Sequence, residues 1–149
     1  MRNFQNERMV LVGMGVGTSQ TALDLTTAYC TDRKAFGGRL SDLGAIHQRL
    51  AMRQAEVDAA RASMYHAAWL GDMRQDNVHE MSGVKAFGAE VANRVMYDCL
   101  QFHGGMGYMR ESTIERMTRD ARILPIGGGA TEIMLEEVAK RSLGDVKVG

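Results

Sequence analysis

The sequence is short of residues that interrupt helices. Its 149 residues include one proline, Pro125. The 124 residues before it contain no proline that would break a helix. The alternation of β-branched and polar residues that is typical of strands is also absent, whereas alanine, leucine and methionine are plentiful. These absences argue against a sheet protein and predict an all-α fold.

The sequence also lacks an excess of charge. Eighteen basic residues balance eighteen acidic ones, and no stretch is a basic block. We therefore expect no nucleic-acid partner and no membrane partner, since both call for concentrated positive charge. No apolar run approaches the length of a membrane span, and residues 2–7 do not form an apolar signal segment. We expect a soluble chain.

Cysteine is scarce, with only Cys30 and Cys99. The two share no metal-binding spacing and lie in apolar-periodic segments, so the default interpretation is two reduced core thiols in a cytoplasmic protein. A disulfide between them is the alternative.

The histidines lack the pattern of a metal-binding bundle. A di-iron site in such a fold needs facing glutamates and Glu-x-x-His pairs. None of the four histidines has a glutamate three residues before it, although Asp76 precedes His79 at that distance near a predicted helix start. We expect no metal and place the histidines on the surface or at polar rims. They are His47, His66, His79 and His103.

Apolar residues recur at three- and four-residue spacing in five segments, which predicts five helices. Three long helices are expected at about residues 5–31, 43–70 and 77–102, and two shorter ones at 112–125 and from 131 onward. Each long helix measures roughly 40 Å, so short links make them antiparallel neighbours in an up-and-down bundle. Asn77 is the predicted N-cap of the third helix, Ser112 and Glu115 form a predicted capping box, and Thr131 opens the fifth. The predicted inward positions are Met9, Val12, Val16, Leu23, Leu43, Ile46, Leu50, Val57, Met64, Val84, Phe87, Val91, Val95, Cys99, Ile114, Met117, Ala121, Leu124, Ile133, Met134 and Val138.

Glycine is concentrated in three places. The spacing of Gly13, Gly15 and Gly17 lacks the preceding strand of a dinucleotide loop, so close packing of helices is the favoured explanation. The run at residues 104–107 ends the third helix, as a C-cap and tight turn or as a place where a ligand approaches the backbone. The run at residues 127–129 separates the last two helices, and a plain loop or the floor of a pocket would both suit it.

Several short motifs occur in one order with regular spacing. Together they resemble the C-terminal helical domain of acyl-CoA dehydrogenases, flavoenzymes that introduce a 2,3 double bond into acyl-CoA thioesters. The likeness covers roughly residues 4–143 of a chain expected to form one domain, residues 1–149. The motifs are Tyr29-x-x-x-Arg33-x-x-Phe36-Gly37, Gln48-x-Leu50-Ala51, Lys85-Ala86-Phe87, Gln101-x-His103-Gly104-Gly105-x-Gly107-Tyr108, Glu115-Arg116-x-x-Arg119-Asp120-Ala121-Arg122 and Ile126 to Ile133.

The resemblance implies an FAD site that this chain shares with a neighbouring subunit of a homo-oligomer, a dimer or a tetramer. Arg33 would face the pyrophosphate, although a surface arginine at a helix end is the simpler structural explanation. Phe36 would wall the cofactor or lie in the core. The implied cofactor contacts are Arg33, Phe36, Gln101, Gly104, Gly105, Thr131 and Glu132. An electron-transfer flavoprotein is the implied redox partner.

The resemblance also implies a catalytic carboxylate that takes the α-proton of the acyl group while the β-hydride passes to the flavin. Many relatives carry this glutamate where Gly128 stands here. A subset similar to the isovaleryl and long-chain enzymes carries it near the start of the first helix, where this chain has Glu7. Glu7 is therefore the expected base, with Arg8, Gly128 and Gly129 as substrate contacts. Its structural alternative is a carboxylate that stabilises the helix dipole.

Two departures from the family pattern support a rival interpretation. Gly44 replaces a flavin-contacting glutamine, and Ala130 replaces a threonine, for which Thr131 would substitute one position later. The family's N-terminal helical domain and middle β-domain have no counterpart in this sequence. We expect an excised domain, a split-gene product or a degenerate relative that is inactive alone. The rival is a non-catalytic helical interaction module. The catalytic hypothesis expects Glu7 and both late glycine runs to share one cleft.

Overall fold

The computed structural model describes the backbone of residues 2–144 and the side chains of residues 6–144. Three long helices dominate it, α1 (Arg2–Asp32), α2 (Gly44–Asp72) and α3 (Val78–His103). Three shorter helices follow, α4 (Gly105–Tyr108), α5 (Thr113–Ala121) and α6 (Thr131–Leu143). The predicted all-α bundle is confirmed. The fourth and fifth predicted helices correspond to α5 and α6, and α4 is an additional single turn.

A small hairpin between α1 and α2 was not predicted. Strands β1 (Lys34–Ala35) and β2 (Gly38–Arg39) pair antiparallel and lead into a short 3-10 helix, Leu40–Asp42. The turn between the strands has φ of 55° at Phe36 and 84° at Gly37. Positive φ at both central residues is what a two-residue type I′ hairpin turn requires, and a phenylalanine rarely adopts it.

Helix α3 is the centre of the bundle, packed against α1, α2, α5 and α6. It is buried on several sides, so its core residues include Met81, Ala92 and Met96 in addition to the predicted stripe. Three predicted inward positions are wrong, since Leu43 is 37% exposed, Phe87 is 41% exposed and Ile133 is 61% exposed. These side chains lie on the rims of helix contacts, and the neighbouring helices do not cover them.

One glycine of the α1 series brings two helices together. A Cβ on Gly15 would lie 3.2 Å from a methyl group of Leu124 and 3.7 Å from the Cβ of Ala92. The helix-packing interpretation is therefore confirmed at Gly15. It does not hold at Gly17, which is exposed and whose Cβ would meet no described atom within 4 Å.

Polar contacts also hold the long helices together. Asp98 on α3 is buried, and its carboxylate accepts a hydrogen bond of 2.7 Å from Arg53 on α2, with Arg49 at 3.5 Å. Between α1 and α2, the side-chain amides of Gln20 and Gln54 exchange hydrogen bonds of 2.9 and 3.0 Å. These contacts join neighbouring helices through side chains that point at one another.

The helix caps differ from the predicted ones. Asn77 is the N-cap of α3, but its side chain donates to the carbonyl of Ala67 at 2.8 Å instead of capping. Ser112 is the N-cap of α5, yet no capping box forms there. The Glu115 carboxylate instead accepts a hydrogen bond from Arg119 at 2.6 Å, because an arginine one turn later competes for it.

Cys30 and Cys99 are both buried free thiols, so the default prediction for them is confirmed and the alternative disulfide is absent. Within residues 2–144, no helix combines the length and the apolar character needed to cross a bilayer. No group of three potential metal-binding side chains clusters in this described range.

Candidate functional site

The glycine run at residues 127–129, here called the glycine bend, connects the end of α5 to α6. Gly128 and Gly129 have φ of 66° and 114°, which side chains rarely tolerate. The Thr131 amide donates to the carbonyl of Pro125 at 2.9 Å, and this bond closes the bend. The predicted end of the preceding helix at Pro125 is wrong, since α5 ends at Ala121 and turns continue to the bend. The glycines with positive φ then reverse the chain.

The start of α1 packs directly on this bend. The Nε of Arg8 donates to the carbonyl oxygen of Gly128 at 3.1 Å, across 120 positions of sequence. A Cβ on Gly128 would lie 2.5 Å from a methyl group of Leu11, so Leu11 fills the space beside that glycine. The first turns of α1 and the glycine bend are therefore neighbours, as the catalytic hypothesis requires.

A lysine supports the same bend from α3. Lys85 is 1% exposed, and its Nζ donates to the carbonyl oxygen of Gly129. Its ammonium group is removed from water, and this burial lowers its pKa, as does the nearby charge of Arg8. Glu90 and Glu132 act in the opposite direction.

The N-terminus of α6 opens beside the bend. Its N-cap is Ala130, which has no side-chain oxygen to accept a hydrogen bond from the first amides of the helix. The Thr131 hydroxyl donates to a Glu90 oxygen at 3.0 Å. A cavity of 320 Å³ lies here, lined by Glu90, Asn93, Arg122, Pro125, Ile126, Ala130, Thr131 and Glu132. An uncapped helix start with positive dipole is suited to bind anionic or electron-rich groups.

Glu7 is exposed and precedes Leu11 by one helical turn. Residues four apart in a helix lie on nearly the same face, so Glu7 lies on the side of α1 whose next turn touches Gly128. Arg8, the adjacent residue, reaches the same bend. The Glu7 side chain is exposed to solvent, which contact with a substrate requires.

The second group of predicted residues surrounds the turn after α3. His103 stacks on Tyr29 of α1, with ring centroids 4.3 Å apart, and its Nδ1 lies 2.8 Å from the carbonyl oxygen of Cys99. A Cβ on Gly107 would lie 2.6 Å from the carbonyl oxygen of Leu100, so only glycine fits there. Gln101, Gly104 and Gly105 are exposed beside this junction, and the Gly104 amide donates to the Gln101 carbonyl at 3.1 Å.

The hairpin after α1 lies near the same junction. The ring of Tyr29 stacks on His103, and the backbone amide of Arg33 donates a hydrogen bond of 2.8 Å to the carbonyl oxygen of Tyr29. Arg33 is exposed, and Phe36 at the tip of the hairpin is 89% exposed. The core alternative for Phe36 is therefore wrong. An aromatic ring held outward in a rare backbone conformation favours contact with another molecule.

The expectation of one common cleft is wrong for the turn at residues 104–107. Lys85 touches the glycine bend, whereas His103 is eighteen residues further along α3. At 1.5 Å per residue this separates the two places by about 27 Å. Within one chain, Arg8 and the glycine bend therefore lie toward one end of the bundle, and the turn after α3 lies toward the other.

Comparison with known proteins identifies the family of the chain. A family model for the acyl-CoA dehydrogenase C-terminal domain matches residues 1–143. This chain belongs to the acyl-CoA dehydrogenase family, as its C-terminal helical domain. The predicted resemblance is thereby confirmed.

Individual relatives agree with this assignment. The chain is 40% identical over 136 residues to the "Probable acyl-CoA dehydrogenase YngJ" of Bacillus subtilis, covering 91% of this chain and 36% of that protein. It is 33% identical to a mitochondrial long-chain specific acyl-CoA dehydrogenase of Sus scrofa, covering 97% and 34%. The butyryl-CoA dehydrogenase of Megasphaera elsdenii superposes with a TM-score of 0.93 at 28% identity, covering 96% and 37%. The chain thus spans about a third of the length of these relatives.

Lys85 belongs to one of the sequence motifs, but no role was predicted for it. Leu11 and Glu90 were not predicted as neighbours of the glycine bend. Lys85 stands between Val84 and Ala86 on a helix that is apolar on several faces. A lysine in that position is a signal of a buried cation with a specific partner. Its partner comes from 44 positions away, which the sequence does not show.

Proposed function

We propose that this domain supplies the catalytic base, part of the FAD site and part of the thioester site of an acyl-CoA dehydrogenase. The reaction is the 2,3-dehydrogenation of an acyl-CoA thioester. The observation that carries the proposal is the contact between the start of α1 and the glycine bend, made by Arg8 and Leu11. It brings the segment that holds Glu7 to the place where many relatives carry the base.

In this mechanism the Glu7 carboxylate removes the proton from the α-carbon. FAD, when bound, would accept the hydride of the β-carbon. Gly128 carries no side chain, and Leu11 occupies the space beside it, so no carboxylate is available from the bend. Arg8 holds the Gly128 carbonyl and contributes positive charge where negative charge develops on the thioester. The glycine bend lets the acyl group approach the backbone closely.

The described residues fit FAD at both ends of the bundle. Near the bend, the uncapped start of α6 offers amides, and Thr131 and Glu132 line the adjacent cavity. At the opposite end, Arg33 offers an exposed guanidinium that suits pyrophosphate oxygens. Because the two ends lie about 27 Å apart along α3, they serve two cofactor sites, each completed by a neighbouring subunit of a dimer or tetramer.

Exposed apolar side chains support such an assembly. Val10 and Met14 lie one turn apart on α1 and are 61% and 58% exposed, and Tyr97 on α3 is 66% exposed. Large apolar groups on helix faces are typical of surfaces that other domains or subunits cover. We assign these surfaces to contacts within the complete enzyme.

For the redox partner we propose an electron-transfer flavoprotein. One relative, 33% identical over 133 residues, is the "Caffeyl-CoA reductase-Etf complex subunit CarC" of Acetobacterium woodii, whose name places it in a complex with such a protein. The chain would then be the part of the dehydrogenase that binds the thioester and the flavin, with electrons leaving to a separate protein.

A chimera tests the proposal. Residues 1–143 replace the matching C-terminal region of the Bacillus subtilis relative, and turnover of acyl-CoA thioesters is followed with an artificial electron acceptor. Glu7→Gln should lower kcat by about 100-fold or more while the bound FAD is retained, since general bases contribute 10²–10⁴-fold. The matched control is Glu111→Gln, an exposed glutamate in the loop before α5. Full activity of the Glu7→Gln chimera would remove Glu7 from the role of base.

The rival, a non-catalytic interaction module, has a structural observation in its favour besides the sequence departures at Gly44 and Ala130. The hydroxyl of Thr131, assigned to the cofactor, is already donated to Glu90 at 3.0 Å. If the unmodified chimera folds, binds no FAD and turns over no thioester, this rival is the better account.

A further inference from the structure

Lys85 is unusual among the buried residues of the bundle. It is the largest of the side chains that are less than 2% exposed, and an ammonium group is costly to remove from water. It lines a small space together with the apolar side chains of Leu11, Val12, Ala89 and Leu124. Apolar surroundings do not require a lysine, whereas the hydrogen bond to the carbonyl of Gly129 does require a donor.

We propose that Lys85 is a positioning residue that, together with Arg8, orients the peptide groups of the glycine bend. This role rests on the proposed function of the bend as part of the thioester site. The two cations come from different helices and bind consecutive carbonyls, Arg8 that of Gly128 and Lys85 that of Gly129. They fix two adjacent peptide planes in a segment whose glycines would otherwise adopt many conformations.

The geometry of the peptide bond gives this arrangement a direction. In a trans peptide the C=O and N–H groups point to opposite sides. With both carbonyls turned toward Arg8 and Lys85, the N–H groups of Gly129 and Ala130 point away from these cations. The bend then has a fixed dipole direction before any substrate binds, which is the preorganisation that polar active sites require.

The charges around Lys85 support the assignment. Arg8 on α1 faces it with like charge, and Glu90 on α3 and Glu132 on α6 face it with opposite charge. For Lys85, the two carboxylates act against the effect of the like charge of Arg8. Charged groups from α1, α3 and α6 thus surround one short segment. This concentration of charge around the glycine bend supports a positioning role for Lys85.

Hydrogen exchange of the purified chain tests this proposal. Lys85→Met removes the charge and keeps the length of the stem. Exchange of the Gly127 and Thr131 amides, which donate to Ile123 and Pro125, should become about tenfold faster, the effect of losing one hydrogen bond to a charged group. The melting temperature should stay the same or rise, because a desolvated cation is removed. The control is Lys140→Met on the surface of α6, whose ion pair with Glu136 is 3.7 Å long. It should leave exchange in the bend within about twofold.

Two outcomes would overturn the proposal. One is exchange in the bend of Lys85→Met within twofold of the unaltered chain. The other is a lower melting temperature with protection lost evenly along α3 and α6, which would show a merely structural role. In the chimera, Lys85→Met should lower kcat by about tenfold with little change in KM, since it disturbs geometry instead of removing a binding group. If the unaltered chimera is inactive, the proposed function fails, while the exchange measurement still decides the role of Lys85.

Discussion

Replacing Gly128 by alanine tests the contact on which the candidate site depends. Two effects act against the alanine. Its φ of 66° costs roughly 1–2 kcal/mol for a residue with a Cβ. The new Cβ would also lie 2.5 Å from a methyl group of Leu11, and such overlap typically costs about 1–3 kcal/mol. We expect Gly128→Ala to lower the free energy of unfolding by about 3 kcal/mol.

Urea unfolding of the purified chain, followed by circular dichroism, measures this change. The matched control is Gly127→Ala, whose Cβ would have its nearest neighbour at 3.5 Å, the Ile123 carbonyl oxygen. That control should change stability by less than about 1 kcal/mol. Both variants alter one glycine of the same bend. Of these two glycines, Gly128 has the positive φ and the contact with α1, whereas Gly127 has neither.

A double-mutant cycle separates the two effects. Leu11→Ala removes the methyl group that the new Cβ would meet, so the double variant should be more stable than the sum of single changes predicts, by about 1 kcal/mol. The backbone part of the cost should remain. Additive effects within about 0.3 kcal/mol, or a Gly128→Ala variant as stable as Gly127→Ala, would refute the packing of α1 on the bend.

Three further predictions concern the bundle. Gly17→Ala should stabilise the exposed side of α1 by about 0.5–1 kcal/mol, whereas Gly15→Ala should gain less because its Cβ would lie 3.2 Å from a leucine methyl; equal gains in urea unfolding would contradict this. Asp98→Asn should cost about 2 kcal/mol in thermal unfolding, since it removes a buried carboxylate that pairs with Arg53 and leaves Glu56 as the remaining partner of that guanidinium; a change below about 0.5 kcal/mol would refute it. Burial raises the pKa of the Cys99 thiol from 9.0 to about 11, so the unfolded chain loses this proton first and stability should fall between about pH 9 and pH 11. Cys99→Ala should remove that part of the decline in denaturation curves, and an unchanged decline would contradict the assignment.

The helices could be predicted because their signals are local. Three- and four-residue spacing is a property of one segment, and the positions of α1, α2 and α3 follow from it. The hairpin could not be predicted, because strands of two residues carry no periodicity and depend on the backbone angles of the turn at Phe36. The exposure of Ile133 was missed because periodicity does not show how far a neighbouring helix covers a face.

The candidate site could be predicted from the resemblance to the family, and only partly from the residue patterns themselves. The resemblance selected the segment of Glu7 and the glycine bend, and the structure brings the neighbouring Arg8 and Leu11 to that bend. The turn at residues 104–107 was expected in the same cleft because the resemblance implies cofactor contacts there and substrate contacts at the glycine bend. Their distance along α3 depends on which end of the helix each one contacts. The burial of Lys85 likewise depends on tertiary packing.

Exchange of the α-proton tests the central claim most directly, because it isolates proton removal from every later step. The chimera is incubated with an acyl-CoA thioester in deuterated water, and deuterium at the α-carbon is measured by mass spectrometry. The account predicts that Glu7→Gln lowers this exchange by about 100-fold or more, with Glu111→Gln equal to the unaltered chimera. Exchange by the Glu7→Gln chimera within twofold of the unaltered one would contradict the assignment of Glu7 as the base.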